Sequence, residues 1–175
     1  MNSLIIFYSM SGNNKNLSEI ILKKINCSSE QILEKKKRNM FTILFEMITK
    51  KLPHIQDISN DLNDFNNIIL ISPIWGGVPA TPMISFIKRY SDQIKNYSFI
   101  TLSGGSLGPN KKNLSFLENI INKKPLAFCE LYINDIASEE KKNKPGKIMK
   151  SKLTKEEIED KYKEMINEFI ITMKK

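Results

Sequence analysis

Apolar residues along the chain follow two arrangements, short continuous runs and longer stretches with helical spacing. Four near-continuous runs have the length of a strand, and they cover residues 3–8, 67–72, 97–103 and 126–133. A weaker run, SEQILE, covers residues 29–34. Between the runs, apolar residues have helical spacing in residues 17–25, 83–90 and 114–121. Continuous apolar runs are typical of strands covered on both faces, so the alternation predicts an α/β fold in which helices wrap a parallel sheet.

The last predicted helix begins at Thr154, where the sequence TKEE puts Glu157 at the fourth position of a capping box. Its apolar residues form one stripe, which consists of Ile158, Tyr162, Met165, Ile166, Phe169 and Ile170. We interpret this stripe as a face buried in the core rather than as a surface for a partner.

Two segments depart from the alternation of strand and helix. Between the second and third strands, residues 40–51 are predicted to form an additional helix that ends before Pro53. Residues 137–152 are polar and basic and are broken by Pro145 and Gly146, so we expect a mobile loop there. No repeat or linker divides the chain, and residues 1–175 are interpreted as one domain.

Composition restricts the class of protein. The hydrophobic content of 41% and the charged content of 26% are those of a soluble globular domain. No apolar run approaches the roughly 18 residues that a membrane span requires, so no membrane association is predicted. The N-terminal sequence MNSLIIFYSM has neither a basic leader nor a small-residue cleavage site, which predicts a cytoplasmic protein.

The formal net charge of +8 raises the question of nucleic-acid binding. The lysines are dispersed, and the longest basic stretches, residues 35–38 and 139–152, contain no aromatic residues that would stack on bases. We therefore interpret most lysines as residues of solvated faces, and nucleic acid is not the favoured partner.

Cysteine and histidine are too few to build a metal centre or a disulfide framework. Cys27 and Cys129 are interpreted as thiols in ordinary packing, and the only histidine, His54, as a surface residue. No metal site and no catalytic acid, base or nucleophile is predicted from these residues.

Small polar residues and glycines are concentrated in three stretches that follow predicted strands. We name them loop 1 (residues 9–14, SMSGNN), loop 2 (residues 72–82, SPIWGGVPATP) and loop 3 (residues 103–110, SGGSLGPN). Ligands of open parallel sheets bind beyond the carboxyl ends of the strands, so the three loops are predicted to form one pocket.

Loop 1 has the residues of an anion-binding turn. Hydrogen-bond donors are expected from the side chains of Ser9, Ser11, Asn13 and Asn14, while Gly12 lets the main chain approach the anion. The following helix adds unpaired N–H groups and the positive end of its dipole. The lysine of a nucleoside-triphosphate loop is absent, which favours a monophosphate. The simpler reading, a capped helix start, accounts for only part of this set.

Loop 2 contains the only tryptophan of the chain, Trp75, between Pro73 and the pair Gly76 and Gly77. Two readings remain open for Trp75, a flat platform for an aromatic ligand or a residue packed on the core surface. In loop 3, Gly104 and Gly105 leave bare main-chain N–H groups for the polar edge of a ring.

With these three motifs the chain resembles the flavodoxin-like FMN-binding proteins. IIFYSMSGNNKNLSEII resembles their phosphate loop, while SPIWGGVPATPMISFI and TLSGGS resemble the loops beside the flavin ring. The resemblance extends from Asn2 to about Tyr132, and it implies a five-stranded parallel sheet of order 2-1-3-4-5. One departure is Asn14, which stands where the family commonly has threonine.

The resemblance also implies a set of FMN-binding residues. The phosphate would be surrounded by Ser9, Met10, Ser11, Gly12, Asn13 and Asn14. The flavin ring would contact Pro73, Ile74, Trp75, Gly76 and Gly77, with Trp75 stacked on it. Ser103, Gly104 and Gly105 would meet the pyrimidine edge or the ribityl chain.

The function that the resemblance implies is electron transfer by bound FMN, with a redox partner protein or a small molecule as acceptor. An NAD(P)H-dependent FMN or quinone oxidoreductase on the same fold is the alternative, and a flavin-free binding module is a third. The formal charge of +8 departs from the acidic surface typical of flavodoxins that carry electrons, which affects the expected partner rather than the cofactor.

Overall fold

The computed structural model describes residues 2–35, 51–105 and 111–175 of the chain. Its strands are β1 (Ser3–Phe7), β2 (Ser28–Gln31), β3 (Asn67–Ile71), β4 (Ile74–Trp75), β5 (Val78–Pro79), β6 (Tyr97–Ser103) and β7 (Phe128–Tyr132). Five of them form one parallel sheet in the order β2-β1-β3-β6-β7, and β4 pairs with β5 in a separate antiparallel hairpin. Without the hairpin strands, this is the predicted order 2-1-3-4-5, and the prediction of a parallel sheet is confirmed.

The α-helices of the described residues are α1 (Asn13–Ile25), α2 (Thr81–Tyr90), α3 (Lys111–Ile121), α4 (Pro145–Ile148) and α5 (Lys155–Thr172). The predicted capping box at the start of α5 is present. Thr154 Oγ1 accepts a hydrogen bond from Glu157 N at 3.2 Å, and Glu157 Oε2 accepts one from Thr154 N at 2.8 Å. Local sequence therefore determines where this helix begins.

Helices cover both faces of the sheet, as the continuous apolar runs predicted. On one face, α1 and α5 pack on strand residues such as Ile5, and on the other, α2 and α3 pack on their neighbours such as Leu4. Successive strand residues thus enter opposite cores, which is why β1, β3 and β6 are buried at every position. Met165 is 43% exposed, so the prediction that it belongs to the buried stripe of the last helix was wrong.

The connection between β2 and β3 is held to the sheet by a carboxylate. Glu30 on β2 accepts hydrogen bonds from the main-chain N–H groups of Ser59 and Asn60, at 2.6 and 3.2 Å, and from both side chains, at 3.0 and 2.6 Å. Partial burial acts to raise the pKa of Glu30, but these donors outweigh it and hold the pKa below its usual range. The predicted helix of residues 40–51 lies outside the described residues except for Lys51.

Residues 137–152, expected to form a mobile loop, contain α4 and a buried anchor. Ile148 is fully buried in the core that α1 and α5 share. Asn134 and Asn143 are joined by two hydrogen bonds: Asn143 N donates to Asn134 Oδ1 at 2.8 Å, and Asn134 Nδ2 donates to Asn143 Oδ1 at 3.0 Å. The segment is therefore packed against the domain at several points.

Among the helices of the described ranges, none has both the length and the apolar character needed to cross a membrane. Cys27 and Cys129 are unpaired and half-buried against the core of α1 and α5, in keeping with a packing role. Burial, with Glu168 and Glu130 nearby, raises the pKa of Cys129 to about 12, so this thiol stays protonated at neutral pH. His54 is exposed, as predicted.

Candidate functional site

Loops 1 and 2 and the described part of loop 3, residues 103–105, lie at one edge of the sheet because β1, β3 and β6 are parallel neighbours and the loops follow their carboxyl ends. The chain passes from β1 to β2 on one side, and from β3 to β6 on the other. Strand order therefore reverses between β1 and β3, where a crevice opens in folds of this type. Loops 1 and 2 border this point, and loop 3 follows the next strand.

Loop 1 ends in a helix start without a side-chain cap. Gly12 is the N-cap residue of α1, with a left-handed φ of 96°, and no side chain caps the helix. Its own N–H donates to Ser9 Oγ at 3.1 Å. A Cβ placed on Gly12 meets no atom within 4 Å, and the first turn of α1 has no acidic residue. The positive end of the helix dipole thus has neither a side-chain cap nor an acidic neighbour in the first turn, which suits an anion.

Asn13 and Asn14 have a structural role that the sequence did not predict. Asn14, 2% exposed, donates from Nδ2 to Leu102 O at 2.9 Å and accepts at Oδ1 from Leu102 N at 3.0 Å. Asn13, 1% exposed, donates to Ser151 O and accepts from Leu153 N, both at 2.9 Å. Both amides are buried, and each bonds main-chain groups through one N–H and its oxygen, so they position loop 1.

The exposed side chain of loop 1 is Met10, at 52%, while Ser9 and Ser11 are half-buried. Ser9 Oγ accepts the hydrogen bond from Gly12 N and keeps its own hydrogen as a donor. Loop 1 can therefore offer two hydroxyl groups and main-chain N–H groups to an anion, without any charged side chain.

Loop 2 forms the β4–β5 hairpin. Gly76 and Gly77 are its central residues, with φ of 60° and 87°, as a two-residue type I′ turn requires. Ser72 Oγ accepts from Ala80 N at 3.2 Å, and Pro73 O accepts from the same N–H at 2.9 Å. The hairpin is thus fixed at its base, immediately before α2.

Trp75 lies half-buried on this hairpin. Its ring meets the ring of Tyr8 edge to face, with centroids 5.9 Å apart and an interplanar angle of 88°. The Tyr8 hydroxyl donates to Glu34 Oε1 at 2.8 Å. Trp75 also packs against the core of α2 and α3, as does Ile74. The structure thus holds the indole on the hairpin after β3, against the Tyr8 ring and the core of α2 and α3.

Loop 3 is held by a residue that the motifs did not identify, Tyr132 at the end of β7. Gly105 has a φ of 75°, and a Cβ on it would lie 2.4 Å from Tyr132 Cβ and 2.6 Å from Tyr132 Cγ. Gly104 O accepts from Asn134 N at 3.1 Å, and Ser103 is buried. Only glycine fits at position 105, because the tyrosine fills the space of a side chain.

Tyr132 is itself held from three sides. Its hydroxyl donates to Glu130 Oε2 at 2.8 Å, and its main-chain N–H and C=O groups bond to the Tyr162 hydroxyl at 3.1 and 2.6 Å. Burial, with Glu130 accepting the hydrogen bond from the phenol, raises the pKa of Tyr132. Nothing in the spacing of the sequence indicates this pairing, because the contact depends on the register of β6 and β7.

Comparison with known proteins identifies the fold. No protein-family model matches the chain, and no curated protein matches it in sequence. The structure of a flavoprotein from Lactobacillus acidophilus in complex with FMN is similar, with a TM-score of 0.63 at 22% identity, over 74% of this chain and 92% of that one. A protein from Bacteroides eggerthii, named as a flavoprotein, matches with a TM-score of 0.65 at 13% identity, over 93% and 96% of the two chains.

A flavodoxin from Streptococcus pneumoniae matches with a TM-score of 0.50 at 15% identity, over 92% of this chain and 99% of that one. Together with the sheet order and the helices on both faces, these matches define the class of fold. The chain has the flavodoxin-like α/β fold, and the fold that the sequence resemblance implied is confirmed.

Proposed function

We propose that this protein binds FMN at the carboxyl edge of its sheet and serves as a flavodoxin-type electron-transfer protein. The observation that carries the proposal is the start of α1 at Gly12, which has no side-chain cap and lies at the edge of the sheet that loops 2 and 3 also follow. Such a helix start binds phosphate through N–H groups and the helix dipole. The similar flavoprotein from Lactobacillus acidophilus, which is in complex with FMN, supports the choice of ligand.

The residues present fit FMN in chemical type. The phosphate would be held by the hydroxyl groups of Ser9 and Ser11 and by the N–H groups at the start of α1, while Asn13 and Asn14 keep the loop in place. Trp75 would supply an aromatic surface to the ring, and the main chain at Gly104 and Gly105 would supply donors to its polar edge. When bound, the flavin supplies transfer of one or two electrons.

Loop 1 favours FMN over the other flavins. It is short, and the helix start after it can bind one terminal phosphate. It has no lysine or arginine that could bind a second phosphate. Riboflavin, which has no phosphate, loses this set of contacts. We therefore expect the affinity order FMN, then FAD, then riboflavin.

Calorimetric titration of the flavin-free protein with FMN, FAD and riboflavin tests the proposal. Ser11→Ala is expected to weaken FMN by about 0.5 to 1.5 kcal/mol, the contribution of one hydrogen bond, and to leave riboflavin unchanged. Ser29→Ala, on the exposed strand β2, is the matched control and is expected to change neither. Riboflavin that binds as tightly as FMN would contradict a phosphate site at loop 1.

A second measurement distinguishes an electron carrier from an NAD(P)H-dependent enzyme. The FMN-loaded protein is mixed anaerobically with NADH or NADPH, and flavin absorbance is followed by stopped flow. As a carrier, it is expected to be reduced slowly by either nicotinamide alone. Rapid turnover with a quinone acceptor would instead assign the protein to the NAD(P)H-dependent oxidoreductases of this fold.

A further inference from the structure

We propose that residues 139–152, named here the basic platform, form the docking surface for an acidic redox partner protein. This inference rests on the proposed electron-transfer function and deepens it by assigning the partner's contact surface. The platform contains six lysines and two glutamates, so its net charge of +4 is half of the formal charge of +8 of the whole chain. Among stretches of this length that do not overlap the platform, none has a net charge above +3.

The charge of the platform is largely unneutralised. Its two glutamates pair within the platform, Lys142 with Glu139 at 3.2 Å and Lys147 with Glu140. The other four lysines are exposed and form no ion pair with an acidic residue of the described chain, namely Lys141, Lys144, Lys150 and Lys152. These four positive charges lie within one short segment and have no acidic partner there. They are expected to attract a negatively charged protein surface.

The platform also presents an apolar contact among its charges. Met149 is 56% exposed and lies between Ile148, which is buried, and Lys150. Methionine is enriched in the cores of protein–protein interfaces, where the charged rim steers the approach and the apolar centre adds affinity. Aromatic residues are absent from the platform sequence, so it lacks the stacking surface that single-stranded nucleic acid uses. These features favour a protein partner.

Fixed contacts join the platform to the candidate flavin site. Ser151 O accepts from Asn13 Nδ2 in loop 1, and Leu153 N, just beyond the platform, donates to Asn13 Oδ1. A Cβ on Gly104 in loop 3 would lie 3.5 Å from Ile148 Cγ2, so the platform also borders that loop. A partner that docks here is held beside the loops that would carry the flavin, as electron transfer between proteins requires.

The experiment compares two triple variants of the full chain that change net charge equally. The platform variant is Lys144→Glu, Lys150→Glu and Lys152→Glu. The control variant is Lys88→Glu, Lys163→Glu and Lys174→Glu, at exposed lysines of α2 and α5 and the C-terminus. Each Lys→Glu substitution lowers the net charge by two, so the net charge of both variants falls from +8 to +2. A difference in rate or affinity between the two variants therefore depends on where the lysines lie and not on total charge.

An acidic [2Fe–2S] ferredoxin, reduced chemically, is the electron donor probe. One electron would pass from the reduced cluster of the ferredoxin, whose Fe(II) becomes Fe(III), to the bound flavin, with one proton taken from solvent, and the loss of flavin absorbance gives the rate. At low ionic strength we expect the platform variant to react about tenfold more slowly than the natural protein, within the range of electrostatic steering, and the control variant to change less than about threefold. At high salt the three rates are expected to converge, because the charges are screened.

Binding of oxidised ferredoxin, measured by calorimetry on the same three proteins, gives a readout that does not depend on flavin chemistry. If FMN fails to bind but ferredoxin binds at the platform, the proposed function fails and the docking surface stands. Equal losses in the two variants would overturn the proposal, since total charge would then explain the effect. A single-stranded RNA oligonucleotide whose binding falls in the platform variant alone, with no change in ferredoxin binding, would overturn it in favour of a nucleic-acid surface.

Discussion

Replacement of Asn14 by alanine tests the assignment of a positioning role to this residue. The paired register of β3 and β6 ends at Ile71 and Ile100, so β3 has no residue opposite Leu102. The Asn14 amide takes that place, with one donor and one acceptor on the two main-chain groups of Leu102, at 2.9 and 3.0 Å. Asn14 thereby satisfies both main-chain groups of Leu102 where β3 no longer does.

The magnitude follows from the two groups that would be left unpaired. Asn14 and Leu102 are 2% and 1% exposed, so water does not reach the main-chain N–H and C=O groups as substitute partners. A buried polar group without a partner costs about 1 to 3 kcal/mol, which gives about 2 to 6 kcal/mol for Asn14→Ala. A domain has a total stability of about 5 to 15 kcal/mol, so this variant is expected to be near the limit of folding.

Urea denaturation of the flavin-free protein, followed by circular dichroism and by Trp75 fluorescence, measures the loss. Asn16→Ala is a comparison in which a smaller loss is expected, since Asn16 makes one half-buried hydrogen bond to Leu153 O. This substitution is expected to lower the free energy of unfolding by about 0.5 to 1.5 kcal/mol. Asn119→Ala, at an exposed position of α3, is the control and is expected to be neutral or slightly stabilising. An Asn14→Ala variant within about 1 kcal/mol of Asn119→Ala would refute the positioning role.

Three further predictions concern separate parts of the molecule. Glu30→Gln is expected to lower stability at neutral pH, because four hydrogen-bond donors hold the pKa of Glu30 below its usual range in the folded protein. The stability that the Glu30 carboxylate contributes is present above its unfolded-state pKa of about 4.3, and it is lost as pH falls through its pKa in the folded protein. Urea midpoints from pH 3 to 7 check this, and a constant difference between the two proteins would contradict it. Trp75→Ala is expected to weaken FMN by about 1 to 3 kcal/mol and to restore flavin fluorescence, and retention of both affinity and quenching would make the indole a packing residue. Gly105→Ala is expected to destabilise the protein by about 1 to 3 kcal/mol, because its φ of 75° is strained for alanine and its Cβ would overlap Tyr132. Gly146→Ala, with open space around it, is the comparison for the same urea assay and is expected to change little.

The sequence by itself determined the elements whose signals are local. Continuous apolar runs indicated β1, β3, β6 and β7 to within two residues at each end, since both faces of these strands are covered. The capping box at Thr154 fixed the start of α5, because its two hydrogen bonds join residues of one turn. The small residues of the three loops marked the carboxyl ends of β1, β3 and β6, since glycine and hydroxyl residues are concentrated where the chain leaves these strands.

Tertiary structure alone decided what those loop residues contact. Asn13 and Asn14 read as ligand donors in the sequence, but their partners are Ser151, Leu153 and Leu102, which are 88 to 140 positions away along the chain. Such pairs arise only after the order of the strands has brought distant segments to the same edge. A polar side chain then bonds whichever buried main-chain group lacks a partner, because leaving that group unpaired costs more than giving up a hydrogen bond to water.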